Sequence, residues 1–135
     1  IDMGVEPYLV ASALVGVISQ RLIRKICPDC KRTYKASGEE LKLLGMDEKQ
    51  DVLLYRGEGC SNCFGIGYKG RTAIHEILVV NNQLRKLISQ KISSERLAEL
   101  SVNLGMETMY ANCVQLVLQG TTTIEEMVKV VYVQE

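Results

Sequence analysis

The sequence CPDC at residues 27–30 has a counterpart, CSNC, at residues 60–63. Two cysteines separated by two residues can hold one metal ion in a tight turn, and two such turns complete a tetrahedral shell. Cys27, Cys30, Cys60 and Cys63 are therefore predicted to bind one zinc ion. Because four thiolates leave no open position for water or substrate, the site is expected to be structural rather than catalytic.

Two other chemistries use cysteines in this pattern. A redox dithiol needs an exposed cysteine of low pKa in a βαβ setting, and no such pattern surrounds either pair. An iron–sulfur cluster also takes four cysteines, although two tight pairs on separate turns favour zinc. Metal analysis with thiol titration distinguishes the three.

The residues around the cysteines suit two metal-binding turns. Pro28 stiffens the first turn, and Gly65 and Gly67 allow the chain to fold around the second. Backbone N–H groups in such turns are expected to donate to the sulfurs. The stretch Lys31–Gly59 between the pairs reads as loop-rich, with little core of its own, so we expect zinc to hold it together.

The composition indicates a folded chain without a nucleic-acid signature. Hydrophobic residues make up 47% of the 135 residues, which is enough for a packed core. Sixteen basic and sixteen acidic residues cancel, and aromatic residues make up only 5%. A neutral chain with few stacking platforms is not expected to bind nucleic acid. The longest apolar stretch, Tyr8–Ile18, is too short to span a bilayer.

Apolar spacing and capping residues predict the helices and the strand that precede the second cysteine pair. The segment PYLVASALVGVISQRLIR at residues 7–24 reads as one helix, with Pro7 in its first turn. Its predicted buried face comprises Leu9, Val10, Ala13, Leu14, Val17, Ile18 and Leu22. Ser37 and Glu40 form a capping box that opens a short helix ending at Gly45. Val52–Tyr55 is a candidate strand.

The rest of the chain reads as one strand followed by helices. Arg71–Val80 is rich in β-branched and apolar residues and is predicted to be a strand. Four short helices are predicted to follow as a small helical subdomain. Their predicted boundary residues are the caps Asn81 and Ser94, the terminating glycines Gly105 and Gly120, and a capping box of Thr123 with Glu126.

The remaining candidate residues carry little chemistry. His75 is the only histidine and is expected to be a surface or packed side chain. Cys113 lies on the apolar face of its helix and is expected in the core. Arg21 and Arg24 suit contact with a phosphate or a neighbouring subunit, and we assign them no role. Since no phosphate loop, GxGxxG, GxSxG or HExxH sequence is present, the chain by itself lacks the parts of an enzyme.

Three strings together resemble a known family: DMGVEPYLVASALVGVISQRLIRKICPDC, GCSNCFGIGYKGRTAIHEIL and QGTTTIEEMVKV. Their order is similar to the C-terminal part of the assembly ATPases of type II secretion and type IV pilus systems, in the branch with four zinc-binding cysteines. The resemblance implies an α/β fragment. Residues 1–26 would be a terminal helix of a RecA-like core, 27–70 an inserted four-cysteine zinc-binding subdomain, 71–80 a core strand and 81–135 a C-terminal helical subdomain.

The resemblance also implies a function. Such proteins are homohexameric motors whose ATP hydrolysis drives pilus assembly or secretion through an inner-membrane platform protein. ATP and Mg²⁺ would bind only to the full-length parent, because the family's phosphate loop precedes this stretch. The partners would be neighbouring subunits and the platform protein, and the location would be the cytoplasm, peripheral to the membrane. Cys27, Cys30, Cys60 and Cys63 match the family's zinc ligands.

An alternative interpretation is a stand-alone zinc-ribbon module that binds nucleic acid or protein. Basic residues near the cysteine pairs favour it: Lys25, Lys31, Arg32, Lys35, Lys69 and Arg71. Acidic residues interleave with them and no aromatic stripe accompanies the charge, so the motor is the preferred interpretation.

Overall fold

The computed structural model describes residues 1–131, a mixed α/β chain with two small sheets. The chain forms two compact units. The first comprises Ile1–Ser19 and His75–Thr108, and the second comprises Gln20–Ile74 and Met109–Glu135. The longest strands, β1 (Gly16–Ile26) and β4 (Tyr68–Val79), pair in one of the sheets.

The first unit contains α1 (Pro7–Ala13), α3 (Asn82–Ser89) and α4 (Ser94–Asn103). Its core comprises Ala11, Val80, Leu84 and Ile88. The Asn81 side chain accepts from the Leu84 N–H and caps α3, as predicted. The cap of α4 lies one residue before the predicted Ser94, at Ser93, whose hydroxyl accepts from the Arg96 N–H.

The single helix predicted over residues 7–24 is wrong beyond Ala13. Pro7 does start a helix, but α1 ends at Ala13 and the chain continues as β1. Gly16 weakens the helix, and the β-branched residues that follow it, such as Val17 and Ile18, are stiff at χ1 and prefer strands. The predicted helical face is not buried as a unit, since Leu9, Val17, Ile18 and Leu22 are exposed.

The second unit contains two strands that the cysteine pairs flank. Strand β2 (Lys31–Lys35) pairs antiparallel with β3 (Leu53–Gly57), in a register that sets Lys31 opposite Gly57. Between them lies α2 (Gly38–Leu43). The predicted Ser37–Glu40 capping box is confirmed. The predicted strand Val52–Tyr55 overlaps β3 but begins and ends too early, and the sequence pattern does not predict β2.

Helices α5 (Met109–Leu118) and α6 (Ile124–Val131) complete the second unit. The hydrophobic core joins them to β1, β4 and the segment between the cysteine pairs. Its buried residues are Ile23, Ala36, Leu41, Leu44, Leu54, Ile74, Met109, Cys113, Val117, Ile124 and Met127. Four of these come from the stretch Lys31–Gly59, which has no separate core, as expected, but contributes to a shared one. Its buried apolar residues are few, but they belong to the same core as α5 and α6.

The predicted strand Arg71–Val80 lies almost wholly within β4, and the four predicted C-terminal helices are present as α3 to α6. Two of these helices belong to the first unit and two to the second. The predicted helical subdomain extends to residue 135, and its last four residues lie outside the described part. The assignment of β1 and β4 to a RecA-like core stays a prediction. None of the helices in residues 1–131 combines the length and hydrophobicity needed to cross a bilayer.

Candidate metal centre

The four cysteines of the two CxxC sequences form one cluster in the second unit. Their sulfurs all lie within 4.8 Å of one another, close enough to hold a single metal ion. Cys27, Cys30 and Cys63 are buried and Cys60 is half-buried. Separations of 3.8 Å (Cys27 to Cys60), 3.8 Å (Cys30 to Cys63) and 3.6 Å (Cys60 to Cys63) are far too long for disulfides.

These separations fit a tetrahedron around one ion. Zinc–sulfur bonds of about 2.3 Å place the sulfurs at the corners of a tetrahedron whose edges are about 3.8 Å. The three separations above are at or just below that length. A cluster of several irons sets metal and sulfide atoms between the cysteines and would spread them further. The donor set therefore fits a single ion with four thiolate ligands.

The second CxxC turn is a short 3₁₀ helix, Ser61–Cys63, followed by a left-handed backbone. Phe64 has φ +56°, Gly65 +79° and Gly67 +81°. Glycine adopts such angles readily, whereas Phe64 does so at some cost. This reversal carries the Gly67 N–H back onto the Cys63 sulfur, at 3.3 Å.

Backbone N–H groups surround two of the sulfurs, as predicted. Cys63 Sγ accepts from the N–H of Cys60 at 3.2 Å and from that of Gly67 at 3.3 Å. Cys30 Sγ accepts from the Gly59 N–H at 3.3 Å. Such bonds stabilise negative charge on sulfur and orient the ligand atoms.

The thiols of the cluster differ in acidity. Burial raises the pKa of the Cys63 thiol, but the N–H groups of Cys60 and Gly67 lower it by more, so that the pKa falls to about 6. Burial raises the pKa of Cys30 to about 11, against the opposing effect of the Gly59 N–H. Burial also raises the pKa of Cys60. A bound cation would keep all four sulfurs as thiolates, so metal binding should release protons.

Three hydrogen bonds fix one cysteine turn against the other. The Cys27 N–H donates to the Gly67 carbonyl at 2.9 Å, and the Glu58 N–H donates to the Cys30 carbonyl at 3.1 Å. At the outer surface, the Asn62 amide donates to the Asp29 carboxylate at 2.9 Å. The four sulfurs are therefore held in place by the backbone of both turns.

Comparison with known proteins decides the family. The model of the family described as "Type II/IV secretion system protein" matches residues 1–129, which include both cysteine turns. The chain belongs to this family.

Relatives in the family are named for ATPases of two related systems. The chain is 44% identical, over 128 residues, to "Type IV pilus assembly ATPase PilB" of Thermus thermophilus, covering 93% of this chain. It is 41% identical over 129 residues to "Type II secretion system ATPase E" of Vibrio cholerae, and 38% identical over 130 residues to "Type II secretion system protein E" of Pseudomonas aeruginosa, covering 96% of this chain in both cases. It spans only 14%, 25% and 26% of those relatives' lengths, respectively.

The other candidate residues lie apart from the cysteine cluster of this secretion-family chain. His75 is exposed on β4. Cys113 is fully buried in the core of the second unit, as predicted, where burial raises the pKa of its thiol to about 11. Arg21 donates to the Val130 carbonyl at 3.2 Å. Arg24 is committed to an ion pair.

The partner of Arg24 is Glu126, and sequence reasoning missed this pair. The Glu126 carboxylate accepts from the Arg24 guanidinium at 2.8 Å and 3.0 Å and from its backbone N–H at 3.0 Å. The guanidinium also stacks over Tyr68, at 4.1 Å from the ring centre. The Tyr68 hydroxyl lies 2.7 Å from that of Thr123. The segment TTTIEE thus packs its second glutamate against β1.

The capping box predicted for α6 is half formed. The Thr123 hydroxyl accepts from the Glu126 N–H at 3.2 Å. The Glu126 carboxylate, which the box would turn back to the start of the helix, binds Arg24 instead. The charged guanidinium of Arg24 makes stronger hydrogen bonds to the carboxylate than a backbone N–H would. Because Arg24 lies 102 residues away along the chain, a local sequence pattern cannot predict this pairing.

Proposed function

We propose that this chain is the zinc-stabilised C-terminal part of a hexameric ATPase that drives type IV pilus assembly or type II secretion. Membership of the family carries the proposal, and relatives named as assembly and secretion ATPases support it. The chain spans about a quarter or less of these relatives, so the activity would belong to the whole protein.

Zinc is the ion proposed for the cysteine cluster, with Cys27, Cys30, Cys60 and Cys63 as its ligands. Zinc accepts four thiolates in a tetrahedron without any redox change. No coordination position would remain for a substrate, so the ion would stabilise the two turns and would take no part in hydrolysis. Iron held by the same four sulfurs would have similar geometry, and metal analysis distinguishes the two.

ATP and Mg²⁺ would bind to a part of the parent protein outside this chain. No phosphate-loop sequence occurs in the 135 residues. The chain purified alone is expected to show no ATP hydrolysis above background with Mg²⁺. Turnover within seconds by the chain alone would contradict this assignment.

The proposed partners are neighbouring subunits of a homohexamer and an inner-membrane platform protein, with the motor in the cytoplasm beside the membrane. Basic residues near the first cysteine turn support a partner surface. Arg32 is exposed and pairs weakly with Glu58 at 3.6 Å, while Lys31 follows Cys30 directly. Charge reversal at Lys31 and Arg32 should impair assembly in cells, and full assembly by that variant would contradict a contact here.

The test of the function uses the full-length parent. We expect Cys63→Ser to lose the metal and to abolish pilus assembly or secretion, while ATP still binds to the other part of the protein. Cys113→Ser is the matched control, because it changes a buried cysteine of the same unit outside the cluster. Normal assembly by a metal-free Cys63→Ser protein would overturn the proposal. Retention of DNA on a filter at physiological salt would instead favour the zinc-ribbon alternative.

A further inference from the structure

A basic cavity lies beside the first cysteine turn in the second unit. Its volume is about 410 Å³. Three lysines line it: Lys25 at the end of β1, Lys31 at the start of β2 and Lys69 near the start of β4. The loop between α5 and α6 closes one side with Gly120 and Thr121. Elements distant in sequence therefore bring three positive charges to one cavity.

Among residues 1–131, no carboxylate compensates these charges. None of the residues that line the cavity is acidic, and none of the three lysines forms an ion pair within residues 1–131. Two carboxylates near the first cysteine turn have partners of their own: Glu58 pairs with Arg32, and Asp29 accepts from Asn62. Like charges that share a cavity repel one another, and an anion would relieve that repulsion.

Neighbouring residues position the Lys31 ammonium, and Thr121 adds a hydroxyl group. The Lys31 ammonium lies 4.9 Å from the centre of the Tyr55 ring. Gly120 makes room for it, because a Cβ there would lie only 2.9 Å from Lys31 Nζ. Thr121 lines the same cavity, and its hydroxyl has no hydrogen-bond partner among the described residues. A positioned ammonium and a free hydroxyl are donors suited to an oxyanion.

The nearby metal centre does not account for the lysines. A divalent ion with four thiolates carries two net negative charges, which attract cations in general. The donors found at the sulfurs, however, are backbone N–H groups of Gly59, Cys60 and Gly67. No lysine ammonium donates to a sulfur among the described residues.

We propose that this cavity binds a phosphate group. A carboxylate would neutralise one of the three ammonium groups, whereas a phosphate monoester carries about −1.5 to −2 at neutral pH and a diphosphate carries more. Lysine binds phosphate as a mobile point charge and can adjust to its oxygens. The group can arrive free in solution or as the headgroup of an anionic lipid, and both sources present the same oxygens.

The test is lysine footprinting of the metal-loaded full-length protein with a low dose of an acetylating reagent and mass spectrometry. Diphosphate should slow acetylation of Lys25, Lys31 and Lys69 together, with one half-maximal concentration. Lys35 and Lys42 are the controls, since each is exposed and pairs with its own carboxylate. Sodium chloride at equal ionic strength should protect none of them. Because the readout is residue by residue, anion binding at an ATP site elsewhere does not interfere.

Variants and vesicles complete the test. Lys31→Gln should raise the half-maximal concentration at Lys25 and Lys69 roughly tenfold or more, the effect of losing one hydrogen bond to a charged group, and Lys35→Gln should leave it unchanged. Protection of the same lysines by vesicles containing phosphatidylglycerol, and not by phosphatidylcholine alone, identifies a headgroup, while protection by diphosphate alone identifies a free ligand. The proposal would be overturned if Lys35 and Lys42 were protected equally, or if neither probe protected the three lysines. Loss of metal in Lys31→Gln would also overturn it, because Lys31 would then serve the metal centre.

Discussion

The backbones of Gly57 and Gly67 cross so closely that neither position has room for a side chain. A Cβ at Gly57 would lie 2.7 Å from the carbonyl carbon of Gly67, and a Cβ at Gly67 would be as badly placed against Gly57. Gly67 in turn accepts from the Cys27 N–H and donates to the Cys63 sulfur. The crossing thus packs the end of β3 against Gly67, whose backbone is hydrogen-bonded to both cysteine turns.

Gly57→Ala should therefore weaken metal binding and destabilise the protein. The added methyl group must push the two backbones apart, which costs about 1–3 kcal/mol of unfolding free energy for an overpacked site. Gly57 does not have a positive φ, so alanine adds no backbone strain there. Chemical denaturation and competition with a zinc chelator measure the two effects.

Gly38→Ala is the control for the change of glycine to alanine. Gly38 opens α2, and a Cβ there would meet only ordinary contacts, at 3.8 Å or more. We expect unchanged metal affinity and equal or slightly higher stability, because alanine favours the helix. Equal behaviour of Gly57→Ala and Gly38→Ala would show that the crossing is not tight.

Glu126→Gln should destabilise the second unit. The Glu126 side chain is only 7% exposed and accepts three hydrogen bonds from Arg24. Loss of its charge weakens these bonds and leaves the guanidinium poorly compensated, at a cost of about 1–3 kcal/mol. Glu125→Gln, a change at an exposed neighbour on α6, should cost less than about 0.5 kcal/mol. Denaturant unfolding compares them, and equal costs would contradict a role for the pair.

The same pair predicts a pH dependence. Burial raises the pKa of Glu126, but the hydrogen bonds from Arg24 outweigh it and hold the pKa below its usual range. A carboxylate with a lowered pKa stabilises the fold fully above its unfolded value of about 4.3, and this contribution disappears as the pH falls through the folded pKa. The stability difference between wild type and Glu126→Gln should therefore shrink below about pH 4.3, at equal metal content. A difference that stays constant as the pH falls through the acid range would contradict this.

Metal removal should open the cysteine turns without unfolding the core of the second unit. Leu41, Leu44 and Leu54, from the segment between the cysteine pairs, are buried in one core with α5 and α6. In hydrogen exchange after chelation, the amides of Gly59 and Gly67 should lose protection while those in the middle of α5 keep it. Loss of protection throughout α5 would show that the metal holds the whole unit together.

The parts of the structure that were predictable are those encoded within a few residues. The CxxC spacing brings the sulfurs of each turn together, and the caps at Ser37 and Asn81 act on N–H groups three residues away. The left-handed turn after Cys63 depends on Gly65 and Gly67 in the same stretch. In these places the sequence neighbours are also the spatial neighbours.

The wrong predictions concern segments whose structure depends on distant partners. Residues 16–26 carry helix-compatible spacing, but they pair with β4, far along the chain, and form a strand. Strand β2 has the charged sequence KRTYK and depends on its pairing with β3. Glu126 satisfies the local capping pattern and still binds Arg24. Tertiary pairing overrides the local preference in each case.

The central claim is a single zinc ion held by Cys27, Cys30, Cys60 and Cys63, and X-ray absorption at the zinc edge tests it most directly. The metal-loaded protein should contain one zinc per chain, with four sulfur neighbours at about 2.3 Å and no nitrogen or oxygen bound to the ion. Cys113→Ser should give the same spectrum. Nitrogen or oxygen ligands, iron in place of zinc, or a protein that binds no metal would contradict the account.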